Sequence, residues 1–246
     1  MSENILNFPD FTIVNRVVPK TAFYKHLEVN ARMKTLFVKN VEQIVWLYKL
    51  APSNLHISDG KEVHEIAVFY VVLRKSADEI IHFIDSQMPR HALFILQQGE
   101  QYQLLVNYKQ WKDAQAGTFD IIKTFVSDWR YMDFTTSSSP VVSLLSIKAE
   151  SLTSMDTLYE SLVRQVASSQ ITSSKEDLQQ AVAETQETET LRKELEAIKR
   201  KEQRERQPQK KFALHQQYIR LKRKLKHIHD TSVSPSVLTV TATPIP

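Results

Sequence analysis

The chain has 246 residues, which is enough for one domain of about 150–170 residues and an extension. A hydrophobic fraction of 42% with 11 Phe excludes a wholly disordered chain, and the lack of any cysteine excludes disulfides and thiolate metal sites. The net charge of +4 hides an asymmetry: residues 191–229 carry 14 Lys and Arg against four Glu, whereas residues 1–190 carry 18 against 23 Asp and Glu.

Residues 1–18, followed by Pro19, read as an edge segment, and a short helix is expected over 21–27. The next helix is capped by Asn30, with Met33, Phe37, Val41, Ile44 and Tyr48 at helical spacing until Pro52 stops it. A hairpin then follows, from 55–57 through an Asp59-Gly60 turn into 63–73. The second of these strands is almost continuously apolar, so it belongs at the centre of a sheet, buried on both faces. Ser76-Ala77-Asp78-Glu79 reads as a capping box for a helix through Ile80, Ile81 and Ile84, closed by Met88-Pro89. With a strand over 92–96 this forms a strand–helix–strand unit, expected as a right-handed parallel crossover. Gly99 turns the chain into an antiparallel strand over 103–108. Further strands are expected over 121–129 and 141–147, with a loop over 135–139. Capping from Thr153 to Asp156 should open a helix with Leu158, Leu162, Val163 and Val166 on one face. These elements make residues 1–168 a mixed α/β domain, a mixed sheet with flanking helices, followed by a polar linker or helix start over 169–190.

The basic arm over 191–230 holds the sharpest geometric signal. Leu191, Leu195 and Ile198 are spaced 4 then 3, and Leu214, Tyr218, Leu221, Leu225 and Ile228 are spaced 4, 3, 4, 3, as in coiled-coil seams. Pro208 lies between the stripes and interrupts a continuous helix. Facing residues of an antiparallel pair have a constant summed number. Leu191 with Leu225, Leu195 with Leu221, and Ile198 with Tyr218 all share one sum, centred on Pro208. That symmetry predicts a C-terminal antiparallel helical hairpin turning at Gln207–Gln209; the other reading is one kinked helix packing on a second chain. Residues 231–246 carry no charge and are expected to be a disordered tail.

Arg200, Lys201, Arg204, Arg206, Lys210 and Lys211 would cluster at the hairpin tip, which has little core of its own between Ile198 and Phe212. Such a tip suits phosphate contact with DNA or RNA without base specificity; a solvated helix or an acidic protein partner fits the same charges. A second group pairs charge with aromatic residues, namely Lys20, Tyr24, Trp46, Lys49, Lys109 and Trp129, and reads as a pocket or interface, or as ordinary sheet and helix borders. No catalytic residue is assigned. A metal-dependent nuclease needs an Asp on one strand and Glu-x-Lys on the next. Asp59, Glu62, Glu65 and Lys75 approach that pattern, but Glu65 is followed by Ile66-Ala67. His227 and His229, two apart, do not share a helix face and with Asp230 make no metal site; His56, His64, His82 and His91 are scattered. Three glycines are too few for Gly-rich phosphate loops, so no cofactor is expected. The N-terminal segment lacks a basic start before an apolar run, and the richest apolar stretch, 67–73, is far short of the ~20 residues of a membrane span. A cytoplasmic protein with no membrane contact is therefore expected, and these patterns leave its oligomeric state open.

Several short motifs carry a family likeness. They are Asn15-Arg16-x-x-Pro19-Lys20-x-x-Phe23-Tyr24, Val45-Trp46-x-Tyr48-Lys49-Leu50, Ile84-Asp85-x-x-Met88-Pro89-x-His91-x-Leu93-Phe94 and Tyr108-Lys109. Asp128-Trp129, Leu158-Tyr159-Glu160, Lys211-Phe212-x-Leu214 and Leu221-Lys222-x-x-Leu225 extend it through the arm. In these the chain resembles the prokaryotic family called domain of unknown function 4391, which has no assigned activity. The resemblance implies an accessory role, on DNA, beside helicases and DNA methyltransferases of restriction-like defence clusters. The expected function is therefore a non-enzymatic binding or adaptor protein whose basic arm meets nucleic acid or a partner. The alternative is a nuclease-type enzyme with an unrecognised site.

Overall fold

Among the described residues, seven strands form one mixed sheet in the first of two units, Met1–Ser169 and Gln170–Pro246. The computed structural model describes residues 6, 8–131, 145, 147, 153–171 and 177–233. In chain order the first unit runs β1 (Ile13–Val17), α1 (Lys20–His26), α2 (Ala31–Asn40), β2 (Val41–Leu50), α3 (Pro52–Leu55) and β3 (Ile66–Leu73). It continues with α4 (Asp78–Ser86), β4 (His91–Gln98), β5 (Gln101–Asp113), β6 (Thr118–Val126), β7 (Arg130–Tyr131) and α5 (Met155–Val166). The sheet order is β1-β2-β3-β4-β5-β6, with β7 also on β5. Among the described strands β3 and β4 alone pair in parallel, because α4 carries the chain back between them; the other pairs are antiparallel. β3 is central and nearly all buried, as its unbroken apolar run requires.

One face of the sheet packs under α1, α2 and α4. Phe23, Phe37, Ile80, Ile81 and Ile84 meet Ala67, Phe69, Val71, Ala92 and Phe94 in one cluster. α5 packs across β5 and β6, its Tyr159 hydroxyl donating to Asn107 O at 2.7 Å. Gly99, with φ +61°, makes the β4–β5 turn. The expected strand 141–147 and loop 135–139 fall outside the described residues, apart from Leu145 and Ile147.

Several local expectations are corrected. The helix capped by Asn30, whose side chain accepts from Met33 N at 2.8 Å, ends at Asn40, and Val41–Leu50 is strand β2. Two register shifts, between Val41 and Gln43 and between Trp46 and Tyr48, break the strand's period of two. Val41, Ile44 and Tyr48 are therefore buried at a spacing that imitates a helix, while the β-branched and aromatic content favours strand. Ser76 does not cap α4: its hydroxyl donates to Asp78 Oδ2 at 3.0 Å, and Ala77 holds the cap position. The expected 121–129 strand begins earlier and ends at Val126. Ser154, rather than Thr153 or Asp156, caps α5 by accepting from Thr157 N.

A larger correction concerns residues 55–63, which form no hairpin. Pro52–Leu55 is a short helix, His56 takes the left-handed conformation at φ 55°, and Ser58 bridges in parallel to Ser154. The Asp156 carboxylate then accepts Lys61 N at 2.6 Å, Val63 N at 2.9 Å and Glu62 N at 3.2 Å. Gly60 is needed for this close approach and not for a positive φ, since a Cβ there would lie 2.4 Å from both Asp156 Oδ1 and Val63 O. At an ordinary φ, Gly→Ala stabilises by lowering unfolded-state entropy. Gly60→Ala is instead expected to cost about 1–3 kcal/mol, as overpacking does. Urea unfolding followed by circular dichroism measures it, and a gain in stability would show that the loop is not clamped in this way.

The second unit is an antiparallel helical hairpin of α6 (Leu178–Arg204) and α7 (Pro208–Val233). Its turn is Glu205–Gln207, earlier than expected, and Pro208 opens α7 at the first helical position, where its missing N–H costs nothing. The polar segment before it is helical from Leu178, and α7 continues past the expected tail boundary to Val233; the rest of the tail lies outside the described residues. The ion pair Glu187–Lys224 at 2.8 Å and a hydrogen-bond contact between Glu202 and His215 Nδ1 at 3.0 Å cross between the two helices. Leu195, Ile198, Leu214, Tyr218, Leu221 and Leu225 are half-buried. Among the described residues no helix is long and apolar enough to cross a membrane.

Candidate functional site

All six expected tip cations are exposed: Arg200, Lys201, Arg204, Arg206, Lys210 and Lys211. Local chemistry explains the turn that collects them. The Glu205 carboxylate accepts Gln207 N at 2.9 Å, and Lys211 N then donates to Gln207 O at 2.9 Å, so α7 restarts within a few residues of the end of α6. Lys201, Arg204 and Lys210 line one open cavity of about 500 Å³ with Glu205 and Leu214. Arg200, Arg206 and Lys211 lie outside that lining. Arg200 meets Glu196 at 3.5 Å, but both side chains are 72% exposed, so water screens the pair and leaves the guanidinium available. Glu202 is occupied by His215.

The six residues pairing charge with aromatic surroundings do not form one pocket. Lys20 Nζ donates to Val41 O, Tyr24 packs edge-on against Phe37, and Lys49 pairs with Glu65 at 2.9 Å. Trp46 lines a cleft of the first unit beside Phe69, and Trp129 lines another with His82 and Thr124. Lys109 is buried. Its ammonium sits 2.5 Å from Asp85 Oδ1 and donates to Asp85 O at 2.7 Å and Arg90 O at 2.8 Å. Asn107 Nδ2 donates to the other Asp85 oxygen at 2.7 Å, and Thr124 Oγ1 donates to Asn107 Oδ1 at 2.6 Å. Burial pushes Asp85 up and Lys109 down, and their mutual charge and hydrogen bonds oppose both shifts. The ammonium donates to two buried carbonyls and lies against one carboxylate oxygen, so the geometry favours the ion pair.

His91 is 2% exposed beside this network, its ring edge-on to Phe119 and Tyr159 at 4.9 and 4.4 Å. Burial, with the Lys109 charge adding, lowers it to about 3, so it is neutral at pH 7. Sequence reasoning missed the network. Asp85 and Lys109 come from different elements, and no local spacing relates them.

Two of the carboxylates weighed for a nuclease, Glu65 and Asp59, are otherwise engaged. Glu65 holds both Lys49 and Arg90, and Asp59 meets His64 Nδ1 at 2.9 Å. Among the described residues no group of three or more His, Asp or Glu side chains could hold a metal ion.

No curated protein matches the chain, and no solved structure does. One family does match, over residues 6–225, from the start of the sheet unit nearly to the end of the hairpin seam. The chain thus belongs to the family described as domain of unknown function (DUF4391).

Proposed function

We propose that the chain is a non-enzymatic binding protein whose hairpin tip contacts the phosphate backbone of DNA or RNA. The observation that carries this reading is the exposure of six cations around one turn, where the neighbouring acids Glu202 and Glu205 are already engaged. Such contacts supply affinity and orientation but read no bases. An accessory role in a DNA-related system of the cytoplasm, beside helicases or methyltransferases, accords with the family likeness and the cysteine-free composition.

Fluorescence anisotropy with a labelled duplex across a salt series tests it. Binding should be sequence-tolerant and fall steeply with salt. Changing all six cations to Gln should leave the fold intact, because none is a seam residue. It should also flatten the slope of log K against log salt by about 0.9 for each phosphate that is no longer neutralised. Unchanged affinity and slope would rule the tip out. Loss of an acidic protein partner with duplex affinity intact would move it to protein recognition.

A further inference from the structure

A cleft of about 590 Å³ opens in the first unit where β1, α1 and the loop before β4 meet the sheet. That volume lies in the range of small-molecule sites. Its floor is apolar and aromatic: Trp46, half-buried, packs on Phe69, and Phe69 stacks on Phe94, with centroid separations of 6.4 and 5.7 Å. Its charged lining residues are Arg16 and Arg90, and no carboxylate is among the lining residues described. Both guanidiniums are placed by specific structure. Arg90 is held by Glu65. Arg16 follows Asn15, a non-glycine residue at φ 47°, within a register shift between Ile13 and Arg16 in the β1–β2 pair. A bulge of this kind redirects the next side chain, and asparagine takes the left-handed conformation more readily than other non-glycine residues. Here Arg16 is exposed and makes no ion pair among the described residues, so its charge is available at the cleft. Gln87 adds a neutral group: its Oε1 accepts Glu28 N at 3.1 Å, which leaves the amide's N–H bonds as donors.

We infer that this cleft binds a planar aromatic ring carrying a phosphate, of the nucleoside monophosphate class, with the ring against Trp46 and the phosphate on Arg16. The chemistry follows from the lining. An aromatic floor stacks any base regardless of sequence, and a guanidinium fork fits phosphate oxygens in pairs. An apolar ligand alone would leave Arg16 without a role, and an inorganic anion alone would leave the aromatic floor without one. The ligand has two sources with the same chemistry, a free mononucleotide or the 5′-phosphorylated end of a strand. The inference does not depend on the hairpin tip.

Isothermal titration of the full chain with AMP tests it, with adenosine and inorganic phosphate as separate probes. AMP should bind more tightly than either. Arg16→Gln, at an exposed position, should weaken AMP by about 10- to 100-fold, the value of a charge-assisted hydrogen bond, and leave adenosine unchanged. Trp46→Leu should weaken AMP and adenosine alike by about tenfold or more, as removal of stacking does. Trp46→Phe should restore most of that, which separates loss of stacking from loss of fold. Competition by a 5′-phosphorylated single-stranded oligonucleotide, against the same strand ending in a hydroxyl, identifies the source. If only the phosphorylated strand competes, the site takes strand ends; if neither does while AMP binds, it takes the free nucleotide. No AMP binding and no preferential binding of the phosphorylated strand, or AMP binding indifferent to Arg16→Gln, would overturn the assignment.

Discussion

Lys109→Met should destabilise the sheet unit by about 3–5 kcal/mol, the effect of removing one partner of a buried ion pair. The methionine fills nearly the same space, so packing changes little, but the Asp85 carboxylate loses its counter-charge where it is 0% exposed. One hydrogen bond from Asn107 is then its described side-chain support. The variant should also acquire a distinctive pH dependence. Without Lys109 the folded-state pKa of Asp85 rises further above its unfolded value, so the folded variant binds more protons than the unfolded chain. Its stability relative to the parent should then recover as pH falls and be lost as pH rises. Asp85→Leu combined with Lys109→Met removes both charges and should recover much of the loss, because desolvating two ions offsets much of their attraction. A double-mutant cycle by urea unfolding measures the coupling. A single Lys109→Met variant within about 1 kcal/mol of the parent would show that the pair is not the buried, charged contact described.

The second large effect is a pH slope from His91. Its folded pKa is about 3, against 6.5 unfolded, so between those values the unfolded chain takes up a proton that the folded chain refuses. Stability must therefore rise with pH across this window: it is fully present above pH 6.5 and is lost as pH falls towards 3. One proton corresponds to about 1.4 kcal/mol per pH unit, hence roughly 2–3 kcal/mol between pH 6.5 and 4.5. Carboxylates titrate in part of the same range, but a His91→Phe variant shares them, and the aromatic site formed by Phe119 and Tyr159 accepts a ring. The difference between the two proteins' stability–pH curves isolates the histidine. Identical slopes for parent and variant would mean that position 91 stays accessible to protons in the folded state.

Both predictions concern contacts that local sequence patterns do not display. Asp85 and Lys109 lie 24 positions apart in a helix and a strand, and they meet only after β3–α4–β4 has formed and β5 has paired with β4. The charge and aromatic neighbourhood of Lys109 marks it as a pocket or border residue; its place in a buried ion pair depends on the sheet register. The tip cations are legible because mirrored stripes around Pro208 bring them to one turn, and a stripe is a property of neighbouring residues.

Elements whose signals are short-ranged are legible in the order of residues alone. The continuous apolar run of β3, the compact α4 pattern, the Gly99 turn and the two helices of the hairpin each express their structure within about ten to twenty residues, where periodicity and turn chemistry act. Long-range pairing makes Val41–Leu50 a strand, since register shifts against β3 displace its buried positions onto a helical spacing. Long-range packing likewise lets Asp156 clamp residues 61–63 from more than 90 positions away, and brings Trp46, Arg16 and Arg90 to one cleft. These arrangements depend on bulges and long-range packing, whose free energies arise between segments distant in the chain and leave no period along it.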